Sequence, residues 1–134
     1  MEKIKVTSFI YHSHNHPLSN GNTAIVDVLQ FLSPKMFPTE FSFNVSFGLY
    51  DLFGHESIEV RYVFRDPNNE IVNDTNNIMV NIQQPEAGSA NHVGAQMALE
   101  LRNVILKMPG IYTSEVYVNN ELLGSYPIDV VQSK

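Results

Sequence analysis

The chain has 134 residues, 43% of them hydrophobic and 16% charged, which supports one packed core and excludes a disordered tail. Eight basic residues against 14 acidic ones leave a net charge of −6, which opposes binding to a phosphate backbone, so nucleic acid is not an expected partner. Cysteine is absent, which removes disulfides, thiolate nucleophiles and Cys-based zinc sites.

Met1 to Ser8 lacks the apolar run of a secretory signal, and no window approaches the ~20 apolar residues that cross a bilayer. The expectation is a cytoplasmic protein with no membrane contact. Ile4 to Tyr11 and Thr23 to Leu32 read as strands joined through Asn20-Gly21-Asn22, with Tyr11 to Asn22 as a polar loop. Ser33 to Thr39, carrying Pro34 and Pro38, reads as a crossing loop. Phe41, Phe43, Val45, Phe47 and Leu49 then alternate with Ser42, Asn44, Ser46 and Gly48, the pattern of a strand with one dry face and one wet face. Ile58, Val60, Tyr62 and Phe64 repeat it, and Asp66-Pro67-Asn68-Asn69 supplies turn chemistry before a return strand at Glu70.

Ile78, Val80 and Ile82 alternate once more, and Gln83 to Val93, with Pro85 and Gly88, reads as a polar loop. Gly94 to Met108 fits both a helical face and an alternating strand. Strand neighbours on both sides decide for strand. Tyr112 to Val118 and Leu122 to Val131 flank Asn119-Asn120, a tight-hairpin signal. Short strands with no helix between them predict an all-β chain: a single immunoglobulin-like antiparallel β-sandwich of about 7–8 strands over residues 1–134.

The most specific marker is Met108-Pro109-Gly110-Ile111-Tyr112, followed by the hairpin Glu115 to Gly124. Pro-Gly forces a corner, beneath which a Tyr can pack while its hydroxyl caps nearby backbone. With Asn20 to Val26, Phe37-Pro38 and Arg65 to Glu70, these pieces resemble a family of small uncharacterised bacterial immunoglobulin-like β-sandwich proteins. The resemblance covers most of the chain. It implies a fold, and brings no catalytic residues.

His12, His14 and His16 are the one unusual chemical cluster. On an extended segment alternate side chains share a face, so the three could meet a metal, with a distant acid completing a metal-dependent hydrolase. Against that, positions 12 and 16 of a straight strand lie about 13 Å apart, too far for one ion without a bend. The plainer account is a polar loop whose histidines are solvated or hydrogen-bonded to backbone. No Gly-x-Ser-x-Gly elbow or phosphate-binding Gly loop exists, and no cofactor is expected. Phe53 and His55, in a loop between two strands, and Tyr117 are the candidate partner-binding residues, since aromatics gather where partners dock. The leading expectation is a non-enzymatic protein-interaction module with a protein partner. Edge strands could also pair with a second copy of the chain, which would give a homodimer.

Overall fold

The computed structural model describes residues 3–86 and 92–134, so the Gly88-Ser89 stretch of the expected polar loop lies outside the described residues. Ten strands occur among them: β1 (Lys5–Pro17), β2 (Thr23–Val28), β3 (Phe31–Leu32), β4 (Thr39–Tyr50), β5 (Ser57–Arg65), β6 (Ile71–Asp74), β7 (Ile78–Asn81), β8 (Gly94–Leu106), β9 (Gly110–Val118) and β10 (Glu121–Val130). Sheet A has four strands in the order β2-β1-β4-β8. Sheet B has the order β3-β10-β9-β5-β6, and β7 also pairs with β5. All pairings are antiparallel except that of β3 with β10. The architecture is the expected immunoglobulin-like sandwich, with ten strands rather than about 7–8, three of them, β3, β6 and β7, only two to four residues long.

Alternation along β4 and β5 builds the core. Phe43, Val45, Phe47 and Leu49 of sheet A and Ile58, Val60, Tyr62 and Phe64 of sheet B are all at most 1% exposed. Burying a side chain of this kind contributes about 1.5–3 kcal/mol. Phe9 ties the sheets together, stacked on Tyr126 with ring centroids 4.3 Å apart and on Phe47 at 5.6 Å.

The interior also holds a polar chain between the sheets. Tyr11 Oη lies 2.6 Å from the Tyr126 carbonyl and 2.6 Å from Ser114 Oγ, which lies 2.6 Å from Tyr62 Oη. A carbonyl only accepts, so Tyr11 donates to it and accepts from Ser114, which accepts from Tyr62. Burial pushes the pKa values of both phenols up, and they stay neutral donors.

The corner after β8 forms as the resemblance implies. Tyr112 is fully buried, stacks on Phe64 and donates its hydroxyl to the Met108 carbonyl at 2.8 Å. Gly110 sits at φ 137°, and a Cβ there would come within 2.8 Å of Pro67, so only glycine fits. Asn119 and Asn120 both adopt left-handed φ, at 50° and 67°, as a tight hairpin between twisted strands requires.

Two expectations change. The segment Tyr11 to Pro17 is strand, because β2 pairs with β1 from His12 out to Pro17 and supplies the ladder that the polar sequence alone does not advertise. The expected strand Thr23 to Leu32 is broken after Val28, and Leu32 crosses to pair with Val130 of sheet B.

Candidate interaction site

On β4 the polar residues between the core positions point to the outer face of sheet A, where Ser42 is exposed but the next ones are not. Asn44 and Ser46 are each 2% exposed, and Gly48 is buried between Thr7 of β1 and Gln96 of β8. Small side chains on this central strand lie below the larger ones of its neighbours, and a groove of about 560 Å³ results. Its walls include Ile10 of β1, Gln96 and Ala98 of β8, and Gly21 and Asn22 from the turn of the β1–β2 hairpin, with Ser46 on its floor. A bulge between Thr7 and Ile10, with Ser8 at φ 52°, turns the Ser8 side chain to the same groove.

His12 belongs to this face. It is fully buried, with Nδ1 2.9 Å from the His14 carbonyl and Nε2 2.7 Å from Ser46 Oγ. The carbonyl only accepts, so Nδ1 carries the proton and Nε2 accepts from the Ser46 hydroxyl. The Ser46 oxygen therefore keeps its lone pairs for whatever enters the groove. Next along the same face, Asn44 stands opposite His12 on one side and Glu100 on the other. Its Oδ1 is buried with no hydrogen-bond partner, a situation that costs about 1–3 kcal/mol in an isolated fold.

The metal alternative finds no support. Both ring nitrogens of His12 are committed to protein atoms, while His14 and His16 are exposed. Among the described residues no group of three His, Cys, Asp or Glu side chains could hold a metal ion.

Phe53, His55 and Tyr117 do not share one environment. Phe53 is 47% exposed in the turn after β4. His55 is half-buried beside it and lines a small pocket of about 260 Å³ with Lys3, Val118 and Glu121, its Nε2 buried without a partner. Tyr117 donates its hydroxyl to Glu115 at 3.1 Å, while the Arg61 guanidinium lies over its ring at 5.5 Å. It is part of an ion-pair network that includes Arg61–Asp74 at 2.6 Å and Arg65–Glu115 at 2.6 Å. Hydrogen bonding from Arg61 holds the Asp74 carboxyl below its ordinary value of 3.8.

Sheet A offers one further feature. Strand β8 runs for thirteen residues at its edge and pairs with β4 alone among the described residues. In an antiparallel strand alternate residues direct N–H and C=O away from the neighbour, so about six residues of β8 present unpaired backbone outward. Sequence reasoning identified β8 as a strand but not as an edge, because its position in the sheet depends on pairing with β4 some fifty residues earlier in the chain. The buried part of the outer face was missed too, since Asn44, Ser46 and Gly48, like the exposed Ser42 before them, look like an ordinary wet face.

No helix among the described residues is long and apolar enough to cross a membrane. No curated protein matches the chain. Among solved structures, the chain is similar to part of a β-glucosidase from Listeria innocua in complex with isofagomine: 15% identity, a TM-score of 0.51, 98% of this chain and 16% of that one. It is also similar to part of an alkylpurine DNA glycosylase from Pseudomonas fluorescens bound to abasic-site DNA, at 13% identity and a TM-score of 0.48, covering 96% of this chain and 30% of that one. An immunoglobulin-like protein from Pseudomonas aeruginosa matches at 15% identity and a TM-score of 0.44, covering 96% of this chain and 97% of that one. The chain thus spans less than a third of the first two proteins, and the likeness at these identities concerns fold alone. A family model covers most of the length, residues 15–131, and the chain belongs to that family, the family of unknown function DUF6941.

Proposed function

We propose that the chain is a cytoplasmic, non-enzymatic protein-interaction module that captures an extended segment of a protein partner along the outer edge of β8. The observation that carries this reading is the length of that edge: thirteen residues, against six for β2 at the other end of sheet A and two to four for β3, β6 and β7. Edge strands invite pairing, and soluble proteins blunt the ones they do not use by shortening, charging or kinking them. β8 carries only Glu100 and Arg102 as charged residues and is regular up to the bulge at Asn103, where φ is 55°. An added strand gains backbone hydrogen bonds along the edge, and its alternate side chains fall beside Gln96, Ala98 and Glu100.

The test is selection of extended peptides from a random library against the whole chain, followed by backbone amide shifts and hydrogen exchange. Peptides that bind are expected to shift and protect amides of β8. Selected peptides that leave β8 unchanged, or a library that yields none, would overturn the reading.

A further inference from the structure

Strand β8 stands out by its pattern as well as by its length. From Gly94 to Glu100 exposed and half-buried positions alternate without a break, and the regular stretch ends at Arg102, before the bulge at Asn103. Its inward row, Ala95, Met97 and Leu99, packs on the two core clusters yet stays only half-buried, because β8 ends the sheet among the described residues. Its outward row, Gln96, Ala98 and Glu100, is exposed, with the smallest residue in the middle. A segment that completes this edge must present an apolar row inward and a hydrogen-bonding row outward. β8 itself has both rows.

We infer that the segment this edge takes is β8 of a second copy of the chain, paired antiparallel about a two-fold axis at Ala98. The inference rests on the reading of β8 as a docking edge and names the partner. A two-fold axis perpendicular to the sheet keeps the same face uppermost in both copies, so every allowed register is centred on one residue. Centring on Ala98 engages the whole stretch from Gly94 to Arg102, the longest ladder that the bulge permits. It sets Gln96 opposite the partner's Glu100, an amide donor against a carboxylate, and Met97 opposite the partner's Leu99 in the apolar row. Ala98 meets the partner's Ala98, with no bulk at the axis. Moving the axis to Glu100 puts two carboxylates face to face, and moving it to Met97, Leu99 or Leu101 shortens the ladder. The net charge of −6 on each copy opposes association only diffusely, since β8 carries one charge of each sign and exposed charges beyond ~8 Å are screened at physiological salt. A strip about 30 Å long and one side chain deep is small beside the ~1,200 Å² of stable interfaces. The dimer is therefore weak, dissociates on dilution and leaves the edge open to competing segments.

The chain holds no cysteine, so one introduced thiol reports the register directly. Directly opposite residues of antiparallel strands have Cα atoms about 4.5–5.5 Å apart, within disulfide reach, so Ala98→Cys is expected to oxidise to a covalent dimer. Gln96→Cys, displaced along the strand from its own copy, lies beyond the ~7 Å limit and is expected to stay unlinked. Sedimentation of the unaltered chain is expected to show a monomer–dimer equilibrium below about 1 mM, with β8 amides shifting as concentration rises. Gln96→Glu, which sets like charges opposite each other at an exposed position, is expected to weaken the dimer and Gln96→Lys to tighten it. Each change should fall between about twofold and thirtyfold, the range that two cross-strand pairs span. A chain that stays monomeric up to about 1 mM, Gln96→Cys linking as readily as Ala98→Cys, or a dimer whose shifts avoid β8 would overturn the inference. Peptides captured on β8 of such a monomer would remove the second copy and leave the docking edge standing, whereas neither capture nor dimer would remove both.

Discussion

From Phe43 to Leu49 the two faces of β4 are buried to the same degree and for different reasons. Phe43, Val45, Phe47 and Leu49 face sheet B and lie at most 1% exposed in two apolar clusters. Asn44 and Ser46 face outward at 2% exposure, yet one holds a buried histidine by hydrogen bond and the other has an amide oxygen with nothing to bond. The inner face spends its burial on stability. The outer face carries an unmet hydrogen-bonding demand, the Asn44 amide oxygen, that contributes nothing to the stability of an isolated domain.

Replacing Phe47 by Ala tests the inner face. It should destabilise the fold by about 3–5 kcal/mol in a denaturant titration, because it empties a site packed on Phe9 and on the second core cluster. Ser46→Ala on the opposite face should cost less, about 1–3 kcal/mol, since it strands His12 Nε2 without a donor. Adding His12→Leu to Ser46→Ala should cost less than the sum of the two single changes, because the two side chains share one hydrogen bond.

The outer face of sheet B supplies a contrast in charge. Asp74 is held below its ordinary 3.8 by Arg61, so its contribution is fully present above that pH and is lost as pH falls through the lower folded value. Asp74→Asn should therefore lose that contribution at neutral pH and flatten the acid limb of a stability-versus-pH curve by the same small amount, the pair being only partly buried.

Much of this architecture was readable from the sequence. Period-two alternation located β4 and β5, strand context decided Gly94 to Met108, of which Gly94–Leu106 is strand, and Pro109-Gly110 with Asn119-Asn120 fixed the last two turns. What escaped was set by partners distant in the chain. The histidine segment looked like a loop because its own residues are polar, and it is strand because β2 pairs with it. His12 read as a loop histidine, with a metal ligand as the alternative, because its hydrogen-bond partner, Ser46, lies 34 residues away. Asn44 looked wet because nothing in alternation reports how tall the neighbouring side chains stand.

The smallest expected effect is the most informative one. Thermal unfolding of Asn44→Val against the wild type asks directly whether the outer face of β4 is built for stability. The account predicts an unchanged or higher melting temperature, since the substitution removes a buried acceptor that no protein group satisfies. A fall comparable to that of Phe47→Ala would contradict it, and would make Asn44 part of the core architecture rather than of a surface waiting for a partner.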